Sequence, residues 1–196
     1  KERAEVTRNE LLGRFPNAHL HIEELDISKS NSIDTFINVV KEKYKSIDVL
    51  VNNAGVFEYG PFFKQSTKTI DKIIDLNVKG TMYVTREAMK TINNGADIFF
   101  INSVAGLYEP EWEAIYSASK HAITAFAGII GKELRFDGTR VTSIHPGGMN
   151  TPMQRNNPIK NRLLEPTEIC DIIVQVLKSK AVYKTIKLFP ESEWHQ

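Results

Sequence analysis

A single cysteine stands among the 196 residues, so no internal disulfide can form. Cys170 falls in an apolar helical pattern and is expected as a packed core thiol, with the reducing cytoplasm as the default compartment. Neither sign of charge is in excess, with 25 Lys plus Arg against 24 Asp plus Glu. There is no basic stripe and no block of like charge, which argues against nucleic acid or an anionic membrane surface as a partner. The longest apolar stretches, such as residues 122–130, fall well short of the roughly 18 residues a membrane helix needs. No signal-peptide pattern stands at the start. His, Cys and carboxylates do not gather at metal-ligand spacing, so no metal is expected, and His121 and His145 read as structural. Internal repeats, low-complexity tracts and linkers are also absent.

What is present reads as one domain of alternating elements. The length fits a single core, since chains of roughly 100–200 residues usually form one. Residues 1–14 form a polar helix with Val6 and Leu11 on its apolar side. Residues 18–25 alternate apolar and polar and read as a strand. Ser30 is placed to cap a helix through Tyr44, with Ile33, Phe36, Ile37 and Val40 at helical spacing. A short apolar strand follows at 47–51, then a long helix at 67–92 with Asn77 on its partly buried side. A strand at 97–102, a second long helix at 111–135, a strand at 141–145, a helix opened by Pro166 and running to Lys180, and a strand at 184–189 complete the series. Strands alternating with helices predict an α/β fold, a doubly wound parallel sheet with helices on both faces. Ligands in such sheets bind beyond the carboxyl ends of the strands, where Asp26, Asn52, Ser103 and His145-Pro146 fall.

The spacing Ser103, Tyr116, Lys120 carries the chemistry, within I-N-S-V-A-G and Y-S-A-S-K. Tyr116 and Lys120 share a helix face one turn apart. A free tyrosine titrates near ~10, and a neighbouring ammonium favours the phenolate, so Lys120 is expected to lower the Tyr116 pKa into a range useful for acid–base work. Ser103 ends an apolar strand, where its hydroxyl can hold a substrate oxygen beside the tyrosine. Y-x-x-x-K alone is common on helix surfaces, so the assignment rests on its companions. Asn52-Asn53-Ala54-Gly55 follows a strand, and its small residues let the backbone approach a flat ligand. Asn77 is a polar residue on a half-buried helix side and needs a partner or a water. Pro146-Gly147-Gly148-Met149-Asn150-Thr151 turns away from a strand, with Thr151 able to cap or to bind an anion.

In this order, these elements resemble the short-chain dehydrogenase/reductase family, most closely its classical branch, which includes bacterial 3-oxoacyl-carrier-protein reductases. The resemblance covers nearly the whole chain and implies a single Rossmann-like NAD(P)-binding domain over residues 1–196. It implies that Tyr116 is the acid/base, that Lys120 tunes it and holds the nicotinamide ribose, that Ser103 orients the carbonyl, and that Asn77 holds a water in a proton relay. It implies cofactor contacts from Asp26 and Ile27 at the adenine and from Asn52, Ala54 and Gly55 along the adenosine. Tyr116 and Lys120 with Pro146, Gly148 and Thr151 would hold the nicotinamide end. A small carbonyl or alcohol substrate and a homodimer or homotetramer, joined through the two long helices, are also implied.

One departure is large. The family opens with a strand, a Gly-rich turn and a helix that receives the pyrophosphate, and no such turn exists here. Because the chain starts at Lys1 inside a helical pattern, a preceding strand–helix unit and strand, on the order of 40 residues, are expected upstream. Lys1 and Arg3 lean toward NADP over NAD. Phe57, Tyr59, Tyr108, Glu109, Trp112, Met149 and Met153 border the expected substrate pocket, and the polar stretch from Thr151 to Pro166 is expected as its lid. Two other readings remain open from sequence: a non-catalytic cofactor sensor or interaction protein of the same fold, and an epimerase or dehydratase of the extended branch.

Overall fold

Four parallel strands form one sheet in the order β1 (Ile47–Asn52), β2 (Ile92–Ile101), β3 (Arg140–Pro146), β4 (Thr185–Leu188). The structure is a computed structural model that describes residues 2–154 and 163–190. Most of the expected lid between Thr151 and Pro166 lies outside the described residues, as do Lys1 and the Arg3 side chain.

The apolar run of β2 explains its central place, because a strand of a parallel sheet is covered on both faces. On one face Leu50, Ile98 and Val141 stand in register, joined by Phe100. Against them α5 (Ala114–Glu133) packs Ile123, Ala127 and Ile130. On the other face Phe99, Ile144 and Ile186 meet α6 (Pro166–Lys178) through Ile169, Ile172, Ile173 and Val176. A third cluster joins α2 (Ser30–Tyr44) to α4 (Thr81–Met89) through Ile33, Ile37, Val84 and Ala88, with Ile27 beneath them. Arg140, at the amino end of β3, donates to both oxygens of Asp97 in the middle of β2 at 2.8 Å and ties the two strands together. The fold is Rossmann-like α/β, as the alternation implies.

Several local expectations are corrected. Residues 18–25 run on from α1 (Glu2–Arg14) without entering the sheet. Alternation makes a segment fit a strand, but a strand also needs a ladder partner. Here the Leu20 carbonyl accepts from the Arg8 side chain at 3.1 Å instead of from a neighbouring strand. The long helix expected at 67–92 is α3 (Thr67–Ile73), a π-helical turn (Ile74–Gly80) and α4, and β2 already begins at Ile92. Ser30 is the first helical residue of α2, with Lys29 in the cap position. The helix expected at 111–135 starts at Ala114 and ends in a tight turn (Leu134–Asp137) closed by Gly138 in the left-handed region. Cys170 is exposed, not packed: the inward stripe of α6 runs through Ile169, Ile172, Ile173 and Val176, and position 170 turns away from it.

Candidate active site

The carboxyl end of β2 is stitched to α5 by side chains, and that seam sets the site. Asn102 donates to the Lys120 carbonyl at 3.1 Å and to Thr124 Oγ1 at 2.8 Å. Ser117 Oγ donates to the Ala105 carbonyl at 2.7 Å, and Thr124 Oγ1 to the Gly106 carbonyl at 2.9 Å. Gly106 has to be glycine for this approach, since a Cβ there would lie 2.8 Å from the Lys120 carbonyl oxygen. The seam turns the face of α5 bearing Tyr116 and Lys120 toward the turn that begins at Ser103.

Tyr116 and Lys120 are both buried. Lys120 Nζ lies 5.6 Å from the centroid of the Tyr116 ring and donates to the Ile101 carbonyl at 3.2 Å. Ser103 Oγ accepts from Ala105 N at 3.1 Å and lies close enough to the phenol to favour its ionised form. His145, fully buried, engages the Ser103 carbonyl through Nδ1 at 2.9 Å and Ser143 Oγ through Nε2 at 2.8 Å. Both of its nitrogens are occupied, which agrees with a structural role. Burial holds its pKa below the ordinary value.

Asn77 sits in the π-helical turn, where one extra residue per turn re-aims a side chain. Its Oδ1 accepts from Val56 N at 2.8 Å, and its Nδ2 donates to the Val56 carbonyl at 2.9 Å and to Ser119 Oγ at 3.1 Å. Ser119 Oγ in turn donates to the Tyr116 carbonyl. Asn77 therefore clamps the loop after the N-N-A-G turn onto α5. A Cβ at Gly55 would come within 3.5 Å of Asn77 Oδ1 and 3.8 Å of Lys120 Nζ, so Gly55 completes the group.

The expected tuning of Tyr116 does not occur in this arrangement. Burial pushes the phenol up to about 12, with Ser103 pulling the other way and the charge of Glu113 adding to the rise. The same burial pushes Lys120 down to about 8. The ammonium faces the ring, and desolvation dominates both groups.

The remaining candidates stand in separate places. Asp26 is half-exposed and accepts from Ser28 N and Oγ, and these bonds together with Lys29 hold its carboxyl at about 2. Ile27 packs under Gly80, where a Cβ would lie 2.6 Å from the Ile27 carbonyl oxygen. Asn52 ends β1 with its Nδ2 buried and without a partner among the described residues. Ala54 continues the turn between Asn52 and Gly55. Pro146 pairs with Leu188, the Gly148 carbonyl accepts from Leu164 N at 2.9 Å, and Thr151 N donates to the Met149 carbonyl at 2.8 Å. No described hydrogen bond joins these three to Tyr116 or Lys120.

Sequence reasoning passed over Ser119, Asn102, Gly106 and Glu113. Only the first had a signal, as the serine between Tyr116 and Lys120. Glu113 caps α5 one turn before Tyr116, half-buried and with no side-chain hydrogen bond among the described residues, and burial pushes it up to about 7.

Comparison with known proteins gives a consistent answer. An uncharacterized oxidoreductase of Staphylococcus epidermidis strain RP62A is 31% identical over 178 residues, covering 89% of this chain and 77% of that protein. Among solved structures, a 3-oxoacyl-[acyl-carrier protein] reductase from Brucella melitensis in complex with NAD superposes with a TM-score of 0.84 at 22% identity, covering 91% of this chain and 79% of that one. A short chain dehydrogenase from Burkholderia cenocepacia in complex with NADP gives 0.78 at 19% identity, covering 85% and 74%. At those identities the two structures speak for the fold. The family model for short chain dehydrogenases matches residues 1–162, and the chain belongs to that family.

Proposed function

We propose that this protein interconverts a carbonyl and an alcohol with a nicotinamide dinucleotide, and that Tyr116 passes the proton. The observation that carries this reading is the grouping of Ser103, Tyr116, Lys120 and Asn77 at one end of β2 and α5, with each member buried or hydrogen-bonded. A phenol held at about 12 keeps its proton near neutral pH, which suits a donor to a carbonyl oxygen during reduction. Ser103 is placed to orient that oxygen. Lys120, held at about 8 by burial, can carry or release a proton close to neutral pH, next to the tyrosine. Asn77 keeps α5 and the N-N-A-G loop in fixed relation.

The residues present fit a dinucleotide along the turn that follows β1. The missing side chain of Gly55 leaves a cradle facing Asn77 and Lys120, and the Asn52 amide is a buried donor without a partner among the described residues. Asn52, Ala54, Gly55, Asp26 and Ile27 would hold the adenosine portion, and Tyr116, Lys120, Pro146, Gly148 and Thr151 the nicotinamide portion. When bound, the nicotinamide supplies or accepts the hydride. NADP is the proposed form, supported by the basic start at Lys1 and Arg3. On this reading residues 1–196 are one NAD(P)-binding domain, working in the cytoplasm as a homodimer or homotetramer.

Binding of NADPH and NADH, followed by nicotinamide fluorescence, tests this directly. Saturable binding with NADPH preferred, and carbonyl-dependent consumption of the bound reductant, are expected. A folded protein that binds neither dinucleotide contradicts the reading.

A further inference from the structure

A line of aromatic rings leads from the surface to Tyr116. Trp112 is about half exposed, at 50%. Its ring stacks on Tyr59 with centroids 6.1 Å apart and planes at 11°. Tyr59 lies 6.4 Å from Phe57, and Phe57 meets Tyr116 edge-on at 4.8 Å. Two loops supply these rings, and the backbone locks them together: Gly60 N donates to the Trp112 carbonyl at 2.9 Å. Trp112 itself has φ 70°, a left-handed conformation that a bulky residue rarely adopts. Such strain persists only where the surroundings fix it, and it tends to mark ligand clamps. The bond from Gly60 and the stack on Tyr59 are what fix it here.

Glu113, the next residue, is a half-buried carboxyl without a side-chain hydrogen bond among the described residues, one helical turn before Tyr116. When ionised, the Glu113 carboxyl acts electrostatically on the Tyr116 phenol and disfavours a substrate that carries its own negative charge there.

We propose that Trp112, Tyr59 and Phe57 form the subsite for a flat ring on the substrate, and that the preferred substrates are uncharged aryl ketones or aldehydes and the matching benzylic alcohols. The inference rests on the carbonyl–alcohol reading above and names the substrate class for it. In the reducing direction the hydride adds to the carbonyl carbon, Tyr116 gives its proton to the oxygen, and the reduced nicotinamide is oxidised. The ring lies against the aromatic line while the carbonyl reaches Tyr116 and Ser103. Ring-on-ring contacts contribute about 0.5–1.5 kcal/mol beyond burial, which corresponds to roughly a two- to tenfold preference for a flat ring over a puckered ring of the same size.

The test compares a series of aryl methyl ketones, acetophenone first, with their cyclohexyl counterparts, reading kcat/KM with NADPH for the wild type, Trp112→Leu and Trp112→Phe. The wild type is expected to favour the aryl member of each pair about fivefold or more, Trp112→Leu to bring the ratio close to one, and Trp112→Phe to keep most of it. Because Trp112 is exposed, the Leu variant is expected to fold, and circular dichroism checks it. Turnover of both members at equal kcat/KM by the wild type, or a preference that survives Trp112→Leu, overturns this inference and leaves the carbonyl–alcohol reading standing. No turnover of any ketone by a protein that is folded and binds NADPH overturns both.

Discussion

The two halves of the candidate site are built in different ways. Around Tyr116 most polar side chains are engaged: Asn77 bridges Val56 and Ser119, His145 bridges Ser103 and Ser143, and Lys120 reaches the Ile101 carbonyl, while Glu113 and the Asn102 Oδ1 have no partner among the described residues. On the side proposed for the adenosine, Asp26 is half-exposed, its carboxyl engaged by Ser28 and Lys29 and its N by Ser32 Oγ, and the Asn52 amide has no partner among the described residues. The sheet repeats the contrast. Phe99 of β2 is fully buried, whereas its register partner Val51 on β1 is exposed. The half proposed to handle the proton is held largely by side chains within the described fold, and the half proposed to bind the dinucleotide makes fewer side-chain contacts among the described residues. Substitutions in the first half should therefore trade stability against activity, and those in the second should change ligand binding alone.

Lys120→Met sharpens this contrast most. It removes a desolvated cation from the core and leaves the stem in place. Carbonyl reduction is expected to fall by roughly a hundredfold or more, while thermal stability holds or rises, because exchanging a buried charge for a well-packed apolar group is often neutral or stabilising. A joint loss of stability and activity would mean that Lys120 is chiefly structural.

Glu113→Gln comes next. Its carboxyl is raised by burial from 4.5 to about 7, so the folded state binds its proton more tightly than the unfolded state. Folding stability from this group is full below about pH 4.5, falls as pH rises toward 7, and stays lost above that. Urea denaturation at pH 5 and pH 8 is expected to show the wild type losing roughly 1–2 kcal/mol more than Glu113→Gln between those two values, the partial exposure of the carboxyl screening the rest. Equal losses would place Glu113 in solvent.

Gly106→Ala pushes a methyl group against the Lys120 carbonyl and Thr124. A cost of about 1–3 kcal/mol in stability is expected, with a fall in kcat, since α5 has to move and carries Tyr116 with it. Asp26→Ala is the smallest perturbation. Melting temperature and kcat are expected to hold at pH 7 while the dinucleotide KM rises a few-fold. A change in kcat would join the two halves more closely than their contacts do.

Much of this was legible in the residues. The run Ile98–Ile101 located the central strand, Pro166 the start of α6, and the Tyr116–Lys120 spacing a shared, buried face of α5. Residues 18–25 misled because their alternation reports how side chains divide between two faces and says nothing about whether a ladder partner lies alongside. The π-helical turn was invisible because one extra residue barely disturbs the apolar period, although a buried polar residue, Asn77, was its trace. Cys170 was misplaced by a rotation about the helix axis, which a short apolar pattern does not fix. The upward shift of Tyr116 depends on how completely α5 is covered, and that is a property of packing.

The most direct measurement is ketone-dependent NADPH oxidation by the wild type and Tyr116→Phe, with NADPH affinity measured on both. The account predicts unchanged affinity and a rate lower by roughly a hundred- to ten-thousandfold in the variant, the range a positioned proton donor contributes. Turnover by Tyr116→Phe within a few-fold of the wild type would contradict it.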